Sequence, residues 1–489
     1  MNKKNLAVIA SRLKCVDAVS VEADKWINKY AKLGYNVHLI SGKFGEPVDL
    51  PNFHLPEMDY KHPEVRGIKR IIFGADLGKD GKKAADILLN NLVKRIKGPL
   101  KNYIVKNKIE ILSIEDVLSS AKNLPLNMAL KQIISELSLP TISRHHYLSW
   151  ENPYFSRFDN IPKIMKDIPP NLKSIVHITS TASAKSKLMD DKKISSSIIP
   201  STIDIDKLQK TDDFNKDFRK ALGIGKDQLI FLQPTRVKRN KCVEKSIKLV
   251  AELNDIMKKD NVLVITGSPV YSRGNYFEEI IRKVKKQNVN VIFANDRIFL
   301  GRHQNPEQKF YSIHDAYLHA DVILYPNTSD AFGNPVIESA AYKKLLVVNK
   351  FPNLEEFLGK GFRFVVMDNK LTPEVVSDTY EMLTDAKKCE ENAEHNFNVL
   401  KQFYSSDALD DTLIPILNEF DKQKSLMSKV TGLLPKKFWK KKEKPKNGEK
   451  SKRFKGKKVE QNKNKDKKKE KPKKKDLKNR KGGYKEPQK

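Results

Sequence analysis

The sequence is poor in cysteine: Cys15, Cys242 and Cys389 are the three in 489 residues, far apart and without a C-x-x-C pair. That pattern argues against a disulfide framework and a cysteine-based zinc site, and it fits a reducing, cytoplasmic setting. Long apolar runs are also missing. No stretch approaches the roughly 18 consecutive apolar residues of a membrane-spanning helix. Met1-Asn-Lys-Lys-Asn5 carries charge, but only a short apolar run separates it from Ser11-Arg12, so a secretory signal peptide is not expected. No repeat at a solenoid period is visible, and no D-x-D element sits at an expected strand end.

Positive charge is abundant and unevenly placed. The chain carries 93 Lys and Arg against 60 Asp and Glu, a formal net charge of +33. Residues 436–489 contain 27 basic and 7 acidic side chains, a local excess of +20. The preceding 435 residues carry only +13. The excess is therefore an appendage, and the body is an ordinary, mildly basic globular chain. The Lys/Asn/Glu/Pro tail has too little apolar content for a core and is expected to be disordered.

Apolar runs alternate with helical patterns along the body. Asn5–Ala10 reads as a buried parallel strand. Ser20 to Leu33 follows as a helix that Gly34 ends, and Tyr35–Ser41 as the next strand. The pattern resumes with strands at Gln228–Leu232, Asn261–Thr266 (ended by Gly267), Asn288–Phe293, Asp321–Tyr325, Leu345–Val348 and Phe362–Val366. Helices are expected over Val243–Met257, Ser312–Ala320 and Pro335–Tyr342, then from Thr372-Pro373 to about Phe403. The fold class expected is α/β, with two Rossmann-like doubly wound domains facing across a cleft. The divisions are 1–204, an interdomain connection at 205–226, a second domain at 227–405, a helical segment at 406–435 and the tail at 436–489.

Two segments carry recognisable chemistry. Ser329-Asp-Ala-Phe-Gly-Asn-Pro-Val-Ile-Glu338 follows a strand, turns at Gly333 and opens a helix. Such a helix start offers free N–H groups and a positive dipole end suited to a diphosphate. Asp330 and Glu338 are placed to address different parts of one ligand, although acids near a helix start also serve as caps. In Gln233-Pro-Thr-Arg-Val-Lys-Arg-Asn-Lys241, Arg236 and Lys241 stand at a strand end. Two cations there suit a phosphate pair, whereas Lys238 and Arg239 read as solvated surface charge.

Together these segments resemble the C-terminal half of retaining GT-B glycosyltransferases of the glycosyltransferase family 4 type. The resemblance implies that Arg236 and Lys241 bind the donor diphosphate. It further implies that Asp330 contacts donor-sugar hydroxyls and Glu338 the nucleotide ribose, with Phe332, Gly333 and Asn334 in the donor loop. Asp330 stands where the family usually has glutamate, and Lys343-Lys344 where many members have a small residue and glycine.

The N-terminal half resembles the same family, closest in style to a mannosylglucosylglycerate synthase-like subgroup. Val16-Asp-Ala-Val-Ser-Val-Glu22 is similar to its T-D-G-V-S-x-E loop, which puts Asp17, Ala18 and Val19 beside the donor phosphate. Ala18 replaces the glycine, and Ser20 reads equally as a helix cap. His145-His-Tyr-Leu-Ser-Trp-Glu151 is similar to H-H-D-F-x-W-E, with Tyr147 in the place of Asp. His146 is the candidate by the donor sugar. His145, Glu151 and Glu115 (in the place of a P-E-N loop) are acceptor-side candidates. Thr266-Gly267-Ser-Pro269 and Phe293-Ala-Asn-Asp296 end strands near the nucleotide, or are plain turns.

The resemblance implies hexose transfer from a nucleotide sugar to an acceptor hydroxyl with retention, no tightly bound cofactor and no required metal. The alternative is a GT-B-like binding or scaffold protein that has lost catalysis, which the departures at Ala18, Tyr147 and Asp330 favour. The tail, entered through Leu426 to Trp439, reads as a peripheral anchor on an anionic membrane at the inner face, as an RNA-binding arm, or as a solubilising end.

Overall fold

The computed structural model describes residues 3–15, 17–74, 78–146, 148–151, 165–270, 275–330 and 332–433. Tyr147 and the tail at 436–489 lie outside the described residues. Residues 1–427 form one compact unit that contains both expected sheets.

The first sheet is built from β1 Asn5–Ala10, β2 Asn36–Ser41, β3 Asn52–His54, β4 Ile111–Glu115, β5 Thr141–His145, β6 Ile175–Thr179 and β7 Ser196–Ile198. All its pairings are parallel, in the order β3-β2-β1-β4-β5-β6-β7. Helices cover both faces, so its central strand β1 is a near-continuous apolar run. Leu6, Ala7, Val8 and Ile9 of β1 are all fully buried.

The helix after β1 runs Ala18–Lys32, two residues ahead of the start expected at Ser20. Asp17 is its cap: the carboxylate accepts from Ser20 N at 3.1 Å, while Ser20 Oγ donates to Arg12 O at 3.2 Å. Trp26, Ile27 and Tyr30 bury the inner face, and Gly34, at φ +86°, turns the chain toward β2.

The second sheet contains β8 Ile230–Val237, β9 Val262–Pro269 and β10 Asn290–Phe293. A small three-stranded element follows, β11 Ile298–Phe299, β12 His303–Gln304 and β13 Lys309–Ser312, and then β14 Val322–Tyr325, β15 Leu345–Asn349 and β16 Val365–Met367. The large sheet is parallel in the order β10-β9-β8-β14-β15-β16. In both sheets the order reverses beside the first strand, between β1 and β4 and between β8 and β14. These are the switch points where doubly wound folds bind ligands, at the carboxyl ends of the strands.

Several local expectations change. β9 does not end at Gly267 but continues through it to Pro269. The single helix expected to Phe403 is two, Pro373–Thr384 and Ala386–Tyr404, because Asp385 caps a new start by accepting from Lys388 N at 2.9 Å. The stretch 205–226 does more than connect: Phe218 and Ile224 pack into the second domain's core.

The chain crosses between domains twice, and the crossings bind each other. Ile203 N donates to Tyr404 O at 2.8 Å, and Ser406 N donates to Ile203 O at 3.0 Å. The helix Asp410–Leu433 then returns to the first domain. Leu409, Leu413, Leu417 and Phe420 pack with Leu6, Val8, Trp26 and Tyr30. Each such buried side chain contributes about 1.5–3 kcal/mol, which fastens the return crossing to the first domain.

Candidate functional site

A cleft of about 340 Å³ lies where the two switch points face each other. Ala18, Val19, Glu22, His145 and His146 form its first-domain wall; Arg236, Lys241, Asp330, Phe332 and Asn334 line the opposite wall. Residues more than 300 positions apart thus meet at one ligand-sized space.

On the second-domain wall, β8 delivers Arg236 as its penultimate residue and the following short 3₁₀ turn, Arg239–Lys241, delivers Lys241. Among the described residues Arg236 makes no ion pair and is exposed. Lys241 is different: its Nζ donates to Asp330 Oδ2 at 2.8 Å. Burial alone would raise the Asp330 carboxyl, but the Lys241 charge and hydrogen bond more than offset it and hold it below the usual carboxylate range. Gly333, at φ +104°, precedes the helix Asn334–Ala341, which opens one residue before Pro335. A β-carbon on Gly333 would lie 2.8 Å from Phe351 Cζ, so the turn needs glycine both for its dihedral and for space.

On the first-domain wall, His146 follows β5 directly. Its Nε2 lies 3.0 Å from Glu115 Oε2, and Arg144 Nη1 donates to the same oxygen at 3.1 Å. Arg144 is 2% exposed, sits against the Trp26 ring at 3.9 Å and lies 3.6 Å from Glu22. Burial opposes ionisation of Glu22, yet the charges of Lys25 and Arg144 hold it at about 2. Glu115 follows the same logic: burial raises it, and the charge of Arg144 with the His146 hydrogen bond brings it below its ordinary value.

Not every expected residue faces the cleft. Gly267 does not line it; a β-carbon there would lie 2.5 Å from Arg236 N, so glycine lets β9 pass the Arg236 backbone. Glu338 lines a separate cavity of about 240 Å³ near the crossings, with Lys25 and Asp204. Asp17 and Glu115 face an adjoining first-domain cavity of about 230 Å³, with Arg12, Tyr60 and Lys122. Glu151 lines none of these three cavities and pairs with Lys187. His145 reaches the cleft, but its Nε2 is 2.9 Å from His177 Nδ1 and burial drives its pKa well below the ordinary histidine value.

Glu22, Arg144 and Tyr325 were not singled out by sequence reasoning. Glu22 stood in the quoted S-x-E pattern, and Arg144 directly precedes the quoted histidine pair. Tyr325 ends β14 and lines the cleft. Burial, followed by the Asp330 charge, pushes its phenol well above the usual range. Among the described residues no group of three or more His, Cys, Asp or Glu is arranged to hold a metal ion.

Comparison with known proteins bears on this arrangement. Residues 214–398 match the family model described as "Glycosyl transferases group 1". That match covers most of the second domain. Arg236, Lys241, Asp330 and the Gly333 turn all fall within the matched residues. The chain is 25% identical over 445 residues to the mannosylglucosylglycerate synthase of Thermotoga maritima, covering 83% of this chain and 98% of that one. It is also 25% identical over 389 residues to the enzyme of that name from Petrotoga mobilis, covering 75% and 87%. In fold it is similar to Anabaena HepE, solved with UDP and glucose, at a TM-score of 0.60, 12% identity and coverage of 86% and 100%. The shared two-sheet fold therefore extends over the first domain as well.

Proposed function

We propose that this protein is a retaining hexosyltransferase that moves a hexose from a nucleoside diphosphate sugar to an acceptor hydroxyl. The observation that carries the reading is the meeting of Arg236, Lys241 and Asp330 with His146 across one interdomain cleft. Arg236, Lys241 and the helix start at Asn334 are read as the field that receives the diphosphate's developing charge. Asp330 and His146 are read as holding the hexose, and Ala18 and Val19 as the backbone beside the phosphates.

In this reading the bond from the anomeric carbon to the diphosphate breaks, and a bond to the acceptor oxygen forms on the same face. The acceptor's proton passes to an oxygen of the leaving diphosphate. The first-domain cavity beside Glu115, Arg12 and Lys122 is read as the acceptor's side of the reaction, and cytoplasmic placement belongs to the same reading. The protein's own cations supply the charge stabilisation, so turnover that persists with EDTA is expected. The alternative of a lapsed binding protein is disfavoured, because both cations and His146 line the cleft together.

The test is incubation with UDP-, GDP- and ADP-hexoses and a panel of hydroxyl acceptors. Mass spectrometry of the products looks first for mannosylglucosylglycerate, the product named by the two relatives. Binding and turnover of one nucleotide sugar, lost in Arg236→Ala, supports the reading. Absence of both binding and turnover across the panel overturns it.

A further inference from the structure

His146 reaches the cleft on a short arm of buried charge. Glu115 and Arg144 are direct partners in the register of β4 and β5. Their side chains meet beneath the first-domain wall, where Glu115 is fully buried and Arg144 almost so. One oxygen, Glu115 Oε2, faces both Arg144 Nη1 at 3.1 Å and His146 Nε2 at 3.0 Å. A buried carboxylate beside a guanidinium is ionised, and an ionised carboxylate only accepts hydrogen bonds. The hydrogen between Glu115 and His146 therefore belongs to Nε2.

We propose that Glu115 and Arg144 are positioning residues that lock His146 in its Nε2–H tautomer, leaving Nδ1 as an acceptor for a hydroxyl hydrogen of the bound hexose or acceptor. The lock has three parts. Glu115 fixes the tautomer, as a carboxylate behind a functional imidazole does. Arg144 fixes Glu115, and Trp26 and Glu22 in turn hold the guanidinium. His145 cannot substitute, because its ring is committed to His177. A hydroxyl that presents its oxygen to His146 Nδ1 finds a lone pair; one that presents its hydrogen is bound. The site thereby selects the orientation of the sugar.

This inference rests on the transferase reading for its consequence, but its test does not. The direct measurement is the pattern of nitrogen shifts and long-range couplings of the His146 ring in ¹⁵N-histidine-labelled whole protein at about pH 8, above the ordinary histidine pKa of about 6.5. A single Nε2–H tautomer is expected. A proton on Nδ1, alone or together with one on Nε2, overturns the proposal. Glu115→Gln removes the charge, so a mixture of tautomers is expected, with kcat down about tenfold to hundredfold and donor KM changed less than about threefold. An unchanged His146 spectrum in a folded Glu115→Gln protein also overturns it. Should that variant not fold, the unaltered protein still decides. Should no nucleotide hexose be turned over, the transferase reading falls while the tautomer result stands on its own.

Discussion

Lys241 Nζ donates to Asp330 Oδ2 at 2.8 Å, so one of the two cations on the second-domain wall is neutralised before any ligand arrives. A diphosphate approaching Lys241 competes with that carboxylate. Asp330→Asn removes the competitor. A bare nucleoside diphosphate is then expected to bind roughly fivefold tighter, since a partly exposed pair contributes on the order of 1 kcal/mol. Hexose transfer should instead fall about tenfold or more if Asp330 holds the sugar in the transition state, as proposed above. Calorimetric titration and initial rates read the two effects separately. A parallel loss of both would mean that Asp330 supports Lys241 and does not compete for it.

Arg236 is the other cation, and it is exposed and free of an ion pair among the described residues. Arg236→Ala should leave thermal stability within about 0.5 kcal/mol, as for a surface residue with no partner. Nucleoside diphosphate affinity should drop about tenfold to hundredfold, the range for hydrogen bonds to charged groups. Arg236→Lys should recover part of it, since a point charge replaces a two-pronged donor. An unaltered titration isotherm for the alanine variant would remove Arg236 from the donor site.

Gly267 links the two strands that present that arginine. A β-carbon there meets Arg236 N and Cα at 2.5 Å, so β8 must move to admit it. The pairing of β8 with β9 is already irregular on both sides of Arg236. Gly267→Ala is expected to cost about 1–3 kcal/mol in stability and to weaken diphosphate binding without touching the ligand. Denaturant titration and calorimetry together check this; an alanine variant with wild-type values in both would show that the strands absorb the methyl group.

Much of this was legible in the residues themselves. The helix Val243–Met257 and the strand Asn5–Ala10 follow directly from apolar periodicity and a continuous apolar run. Arg236, Lys241 and Asp330 stood out because their spacing resembles a family motif; taken singly, such residues also read as surface charge or a helix cap. Arg144 did not stand out, because its meaning depends on Glu115, 29 residues away on the neighbouring strand, and on Glu22 across a helix. The expected contact of Gly267 with the ligand and the expected end of β9 shared one cause. A glycine after an apolar run reads as a turn unless the neighbouring strand's backbone is known to press against it. Asp385 read as one more polar residue in a long helix, since a cap is recognised only from the break it makes.

The buried histidines make a pH prediction with a definite sign. Burial lowers His177 to about 4 and takes His145 well below its ordinary value. Both are neutral when folded and charge more readily when unfolded, so the unfolded chain binds more protons. Stability is therefore full above about pH 6.5 and is lost as pH falls toward 4, each histidine contributing a slope of up to about 1.4 kcal/mol per pH unit. Glu22, held at about 2, adds a second loss at lower pH, from its unfolded value down. Denaturant melts at pH 7.5, 6 and 5 measure the slope. His177→Leu should reduce it in the upper window, whatever it does to stability at pH 7.5, while His145 and the likewise lowered His38 and His319 keep part of it. An undiminished slope would assign the acid sensitivity to other groups.

The tail's charge is separable from the site's. Residues 436–489 carry 27 basic and 7 acidic side chains, whereas every residue lining the cleft lies at or before position 335. Deleting 436–489 removes +20 of the formal +33 and none of the proposed ligand contacts. Turnover of a soluble acceptor is therefore expected to stay within about twofold of the full chain. Binding to a polyanion follows the opposite logic, because counterion release scales with the number of lysines engaged. Flotation with vesicles containing anionic lipid, and gel shift with single-stranded RNA, should both be compared with and without the tail at two salt concentrations. Loss of one of these on deletion, with a steep salt dependence in the full chain, would give the tail a partner. Unchanged binding to both would leave it a solubilising end, and a large fall in turnover would show that the tail acts on the reaction itself.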